Sequence, residues 1–192
     1  ALRTAINQWN RVTCTVTTLQ IFMAIKRPAE LVRIIGSLAS PAGTANLASG
    51  QTVTRFRGTE TSDGTQRTVS ARLWNPAFMQ MALGRSVNNS QNDPGLTASQ
   101  VAKAYQAVTG KTTHTYTVSH DGFDAVIAHI REATARGLPV PIGRSWGSGG
   151  HELLVTRVVG DRLYMDNPQG TEDSITIGEL RSVLWSANVV EL

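Results

Sequence analysis

The hydrophobic pattern of this 192-residue chain changes near residue 137, and that change constrains the fold more than any other feature. Before it, apolar residues recur in runs long enough for helices. After it, short apolar runs alternate with glycine-containing turns, which is typical of strands. Because helices first and strands last is the order of an α+β fold, we expect one domain with a helical lobe over about 1–136 and an antiparallel sheet lobe over about 137–192.

Start and stop signals divide the first part of the chain into five helices. The signals are proline in a first turn, glycine after a last turn, and the pattern of Thr97 and Gln100, which resembles a capping box. The predicted helices cover residues 14–24, 28–36, 73–83, 97–108 and 123–136, the third entered through Pro76. Residues 40–71 are rich in Gly, Ser, Thr and Asn and are expected to form an irregular or hairpin-containing surface segment.

The second part of the chain is interpreted as strands arranged around one clear turn. Gly160 and Asp161 have the composition of a hairpin turn between two strands. Strands joined in this way lie side by side, so residues at their far ends come close together. The predicted strands cover residues 138–142, 152–159, 162–165, 175–177 and 188–192, with a Gly- and Ser-rich loop over 143–150 and a helix around 179–184.

Charge and hydropathy argue against nucleic-acid and membrane partners. The net charge is +4 and the pI about 9.7, but basic residues are dispersed, and aromatic residues, 6% of the chain, are not interleaved with them. The electrostatic footprint of nucleic-acid binding is therefore weak, and no such partner is expected. No run approaches the ~18 apolar residues that span a bilayer. Residues 1–8 are too polar for a signal peptide, and the missing initiator methionine is expected of a processed chain or an excised domain.

Cys14 is the only cysteine of the chain, so an internal disulfide framework is excluded. It stands where a polar segment gives way to an apolar helical run, which puts it at a predicted helix N-terminus. The partial positive charge at such a terminus lowers the pKa of a thiol, and the thiolate is the nucleophilic form. Cys14 is therefore a candidate nucleophile, although a lone cysteine is more commonly a small buried apolar residue.

A candidate base and its orienting group lie far downstream. His151 follows two glycines and precedes a strand, and a neutral imidazole there can accept a thiol proton and return it to a leaving amine. Asn167 follows 16 positions later, across the predicted hairpin, where its amide can accept from one ring N–H. Asp166 is the alternative orienting residue, because neighbours on a strand face opposite sides and only one of the two can face His151. The other three histidines are interpreted as surface residues.

Gln8 lies six positions before Cys14 and completes the set. Its side-chain N–H and the backbone N–H of Cys14 can stabilise a developing oxyanion. Each residue by itself has an ordinary structural interpretation: a buried cysteine, a loop histidine, a turn asparagine and a solvated glutamine. Together, in the order Gln–Cys–His–Asn, they predict a thiol enzyme that acts on amide bonds.

At these residues the chain resembles the papain-like cysteine peptidases, and within them the calpain-type catalytic core. The Gln-to-Cys interval is the one that papain-like enzymes use, and the 137 positions from Cys14 to His151 fall within the family range of about 130–150. Residues 150–170, which end in Asn-Pro-Gln-Gly, look like the calpain stretch from the histidine to an Asn-Pro-Trp-Gly motif. Residues 74–83 are similar to the calpain helix that begins with Trp-Pro and packs under the cleft.

The resemblance implies a two-lobe papain-like fold and a thiol protease with a Cys-His-Asn triad that acts on a protein or peptide without a cofactor or metal. No acidic cluster has the spacing of a calcium loop, so calcium control is not implied. Trp146 and Trp185 are candidate walls of the specificity pocket, because they are large and close in sequence to the predicted cleft or the last strands.

The chain also departs from the family at two motifs. The usual Gly-Asp-Cys-Trp is Val-Thr-Cys-Thr here, and Gln169 replaces the tryptophan of the asparagine motif. Papain-like domains with such changes resemble bacterial effector or toxin domains, which implies secretion and action in a reducing cytoplasm. Some of those domains cleave peptides and others deamidate glutamine. The alternatives are therefore a protein glutamine deamidase or a non-catalytic binding module on the same fold.

Overall fold

The computed structural model describes residues 5–59, 61–85, 95–147 and 149–191, which form an α+β fold, as predicted. The helices are α1 Cys14–Lys26, α2 Pro28–Ala39, α3 Val69–Leu83, α4 Ala98–Thr109, α5 Val118–Asp121, α6 Phe123–Ala135 and α7 Ile177–Leu180. The strands are β1 Thr44–Asn46, β2 Thr52–Thr54, β3 Thr113–Thr117, β4 Val140–Trp146, β5 Gly149–Val159, β6 Arg162–Asn167, β7 Thr171–Thr176 and β8 Leu184–Val190. Within these ranges, no helix has the length and apolar character to cross a membrane.

Six strands form one antiparallel sheet in the order β3-β8-β4-β5-β6-β7, and β1 pairs with β2 in a separate hairpin. The predicted turn at Gly160 joins β5 to β6, since Val159 pairs with Arg162. The sheet begins earlier in the chain than residue 137, because β3 pairs with β8 at one edge. The sequence of β3 is Thr-His-Thr-Tyr-Thr, which suits a strand but has no apolar run to mark it.

The central strands β4 and β5 extend further than their composition indicates. β4 continues to Trp146 and β5 begins at Gly149, which corrects the predicted loop over 143–150. Sheet hydrogen bonds use backbone groups alone, so Gly149 and Gly150 extend β5 opposite Trp146 and Ser145. These extensions bring the start of β5 into the site described below.

The C-terminal elements are shifted relative to the prediction. α7 is a single turn that starts at Ile177 and replaces the helix expected around 179–184. β8 starts at Leu184, before the strand predicted over 188–192, whose last residue lies outside the described residues.

Helix α3 begins before the proline that was expected to open it. Thr68 caps the helix, its side-chain oxygen accepting a backbone N–H of the first turn, so Pro76 lies inside the helix. The capping box that opens α4 is confirmed, with Thr97 and Gln100 exchanging hydrogen bonds. Gly110 ends α4 at a φ of 68°, a left-handed conformation that favours glycine.

Two buried apolar clusters pack against opposite faces of β5. The first contains Leu19 of α1 together with side chains of α2, α3 and α4, and it includes Leu154. The second lies between α6 and the sheet and includes Val155. Because successive strand residues point to opposite faces, β5 carries α1 on one face and α6 on the other. Burial of each large apolar side chain contributes about 1.5–3 kcal/mol, so β5 is held from both sides.

Candidate active site

Cys14 opens helix α1 and is held in place from the side by helix α3. Trp74 is fully buried, and its indole N–H donates to the carbonyl of Val16 at 2.8 Å. Asn75 donates a side-chain N–H to Thr13 Oγ1 at 3.3 Å. Because these bonds hold the residues on both sides of Cys14, the thiol has a defined position at the helix N-terminus.

Burial raises the pKa of the Cys14 thiol to about 11, and the nearby carboxylate of Glu152 adds to the rise. Backbone N–H groups of Glu152, Thr15 and Cys14 itself act in the opposite direction. The helix N-terminus therefore acts in the predicted direction, but the net pKa is raised, because a thiol that is 8% exposed loses more hydration than these groups replace. At this pKa Cys14 is a protonated thiol at neutral pH.

His151 is the candidate base, and its hydrogen bond defines its tautomer. It lies near the start of β5, opposite Arg144 of β4, and its Nε2 is 3.0 Å from Asn167 Oδ1. An amide oxygen only accepts, so Nε2 carries the proton and Nδ1 of the neutral ring keeps its lone pair. Cys14 and His151 line the same cavity, so Nδ1 is the ring nitrogen available to accept the thiol proton.

The Asn167 amide is fixed through both of its polar atoms. Its Oδ1 also accepts the backbone N–H of Gln169 at 3.0 Å, and its Nδ2 donates to Asp173 Oδ2 at 2.7 Å. Asp166 pairs with a β5 residue of the first apolar cluster and so shares the face of the sheet that packs on α1. This geometry favours Asn167 over Asp166 as the residue that orients His151.

A tryptophan of β4 covers the imidazole. The rings of Trp146 and His151 have centroids 4.7 Å apart, and the Arg144 guanidinium lies 4.7 Å from the centre of the Trp146 ring. Burial lowers the pKa of His151, the hydrogen bond that its Nε2–H donates to Asn167 raises it, and the charge of Arg144 lowers it. The net shift is downward, so His151 is a neutral imidazole at neutral pH, which is the form that acts as a base.

A cavity of about 690 Å³, the cleft cavity, opens beside Cys14 and His151. Its volume is in the range of ligand pockets, about 300–1,000 Å³. Trp185 forms one side by packing on Gly150, where an added Cβ would lie 2.5 Å from the indole ring. A glycine is therefore needed at this position for Trp185 to pack against β5. Glu152 is an acidic residue that lines the same cavity.

Gln8 is hydrogen-bonded to the turn that follows Asn167. Its backbone N–H donates to the carbonyl of Pro168 at 2.7 Å. One N–H of its side-chain amide donates to the Arg11 carbonyl at 2.9 Å, which leaves the second N–H for an oxyanion. Its Oε1 is buried and has no hydrogen-bond partner in the described part of the chain. Gln8 does not itself line the described cleft cavity, so its role as a donor stays a prediction.

The other three histidines have contacts of their own. Their partners are Glu191 for His114, Asp121 for His120 and Tyr116 for His129. None of the three lines the cleft cavity among the residues described for it. Across the described ranges, no group of three or more His, Cys, Asp or Glu side chains is placed to hold a metal ion.

Two acidic residues of the site were not predicted from the sequence. Glu152 follows His151 inside an otherwise apolar strand, and a charged residue in such a run is a signal, because carboxyl groups are seldom fully buried without a role. Asp173 has no comparable signal, since its contact with Asn167 depends on the register between β6 and β7.

No family model matches the chain, and no curated protein matches it. The candidate site consists of a buried thiol, a neutral imidazole bonded to an amide, and an adjoining cavity of about 690 Å³.

Proposed function

We propose that this chain is a cysteine hydrolase with a two-lobe, papain-like fold that acts on amide bonds of proteins or peptides. The observation that carries the proposal is the 3.0 Å contact of His151 with Asn167 beside a cavity that Cys14 also lines. A thiol, a base and a group that orients the base are the parts required for nucleophilic attack on an acyl carbon. The position of α1 between the helical cluster and β5 supports the two-lobe arrangement.

The first half of the reaction produces a thioester. Nδ1 of His151 takes the thiol proton as Cys14 Sγ attacks the carbonyl carbon of the amide. The imidazolium then gives this proton to the leaving nitrogen, and the C–N bond breaks. The oxyanion that forms in between is stabilised by the backbone N–H of Cys14 and the second side-chain N–H of Gln8.

The second half restores the thiol. His151 takes a proton from water as the water oxygen attacks the thioester carbon. The C–S bond breaks, the sulfur recovers the proton from the imidazolium, and the acyl group leaves as a carboxylic acid. Throughout, the Asn167 amide oxygen accepts from Nε2–H and keeps Nδ1 directed away from itself.

A peptide bond and a glutamine side chain present the same amide, so the proposal includes proteolysis and deamidation. A second candidate function is a binding module without catalysis. The thiol pKa of about 11 favours that second candidate, because such a thiol contains little thiolate at neutral pH. A hydrolase with this thiol depends on proton transfer to His151 during attack.

Mass spectrometry of the chain and its products tests the proposal. Wild type is expected to react with an electrophilic thiol probe near neutral pH and to process members of a protein panel, whereas Cys14→Ala does neither while remaining folded. Cleavage produces two fragments, and deamidation converts a carboxamide to a carboxylate in an intact chain. Turnover by folded Cys14→Ala contradicts the catalytic assignment. Absence of both turnover and rapid probe reaction in wild type favours the binding module.

A further inference from the structure

Glu152 lies directly after His151 on β5, but its side chain faces helix α1. It shares the α1-facing side of the strand with Leu154, which belongs to the first apolar cluster. Glu152 is only 5% exposed, and its Oε1 has no hydrogen-bond partner among the described residues. Its backbone carbonyl accepts the hydroxyl of Thr18 at 3.5 Å, which ties this point of β5 to α1.

Among the residues that the structure describes, the groups that face Glu152 do not include a compensating cation. Cys14 of α1 is close enough to Glu152 for the charge of that carboxylate to raise the pKa of the thiol. Tyr105 of α4 has a buried hydroxyl that likewise has no hydrogen-bond partner within the described ranges. On β4, Arg144 is paired in register with His151 and shifts the pKa of that imidazole. Asp166 of β6 lies on the same face of the sheet as Glu152 and is also acidic. Burial raises the pKa of Glu152 well above its usual value.

We infer that Glu152 is a positioning residue for the nucleophile: as a neutral acid it leaves Cys14 free to ionise, and as a carboxylate it keeps Cys14 protonated. The inference rests on the proposed function, in which Cys14 is the nucleophile. Two negative charges in one buried space oppose each other strongly when no cation lies between them. The fraction of Cys14 present as thiolate therefore rises with pH until Glu152 ionises. A further rise of this fraction then requires a higher pH.

The test is the rate at which Cys14 is alkylated by iodoacetamide, measured from about pH 6 to about pH 12 so that the scan passes the thiol pKa of about 11. Because Cys14 is the only thiol, the rate follows one group. Wild type is expected to show two inflections, the lower one from Glu152. Glu152→Gln keeps the shape of the side chain without its charge and is expected to show one inflection. The two proteins react alike at low pH, and the variant reacts faster at high pH, roughly tenfold for each pKa unit that Glu152 adds to the thiol.

Glu132→Gln removes a negative charge at a residue that is 65% exposed on α6, and it is expected to follow the wild-type profile. Parallel profiles of Glu152→Gln and wild type overturn the inference. If that variant does not fold, a single inflection in wild type overturns it equally. Turnover through Cys14 with parallel profiles contradicts this inference alone. Divergent profiles without turnover contradict the proposed hydrolase and leave the coupling of Glu152 to Cys14 intact.

Discussion

The candidate site has two halves that are bonded to different extents. The imidazole half comprises His151, Asn167 and Asp173, and the thiol half comprises Cys14, Gln8 and Glu152. In the first, hydrogen bonds of 3.0 and 2.7 Å run from the ring through the amide to the carboxylate. In the second, Oε1 of Gln8 and Oε1 of Glu152 are buried and have no partner in the described part of the chain.

The candidate base is therefore organised differently from the candidate nucleophile. The imidazole half is fixed before any substrate arrives, so the tautomer of His151 needs no rearrangement. The thiol half holds Cys14 protonated, and each buried polar atom without a partner costs about 1–3 kcal/mol. Reactivity is therefore expected to be limited by the thiol half. Variants of the two halves are expected to differ in which kinetic quantity changes and in how large the change is.

His151→Ala is expected to have the largest effect. Removing the base leaves a thiol with a pKa of about 11 and no group to accept its proton, so kcat/KM falls roughly 100- to 10,000-fold. Alkylation of Cys14 at neutral pH slows as well. Steady-state kinetics and probe labelling measure the two effects, with His120→Ala as a control because that ring is exposed and bonded to Asp121. Equal labelling rates in His151→Ala and wild type would show that His151 does not accept the proton of the Cys14 thiol.

Gln8→Ala is expected to come second and to act on the thiol half. Loss of one oxyanion donor lowers kcat roughly 100- to 1,000-fold, or about 3–4 kcal/mol, with little change in KM. Steady-state kinetics measure the split between kcat and KM, and circular dichroism checks the fold. A loss of less than about threefold removes Gln8 from the oxyanion site. The thiol half then consists of Cys14 and its backbone donors.

Asn167→Ala is expected to lower activity roughly tenfold, since a hydrogen bond of this kind is worth about 1.4 kcal/mol. The bond raises the pKa of His151, so its loss shifts the acid limb of the rate profile to lower pH. Asp166→Ala is the matched comparison, because Asp166 lies on the other face of the sheet and is expected to cost less. A larger loss in folded Asp166→Ala reverses the assignment of the orienting residue.

Trp146→Leu is expected to have the smallest effect and the opposite pH shift. The ring contact with His151 is worth about 0.5–1.5 kcal/mol, so activity falls by a few-fold. Burial lowers the pKa of His151, so opening the imidazole to water raises it, and the acid limb moves to higher pH. The dependence of kcat/KM on pH measures the shift. Shifts of the same sign in Trp146→Leu and Asn167→Ala contradict the account of the imidazole half.

Local elements of this fold could be read from the sequence, because their causes lie within a few residues. The capping box of Thr97 and Gln100 opens α4, and the Gly160 turn joins β5 to β6. The prediction that α3 is entered through Pro76 was wrong, because the cap at Thr68 starts the helix more than one turn before that proline. The edge strand β3 was missed, because its place depends on pairing with β8, more than 60 residues away.

For the candidate site, the sequence by itself determined which side chains were worth comparing: Cys14, His151, Asn167 and Gln8. Only the tertiary structure decided how they are arranged, through the His151–Asn167 bond and the cavity that Cys14 shares with His151. It also decided the net direction of the thiol pKa shift, in which burial outweighs the predicted lowering by the helix N-terminus. The physical reason is that desolvation depends on every atom that α1, α4 and β5 bring around the sulfur. A pattern of neighbouring residues describes the helix end at Cys14 but not the buried carboxyl group of Glu152 on β5, whose charge acts on the thiol.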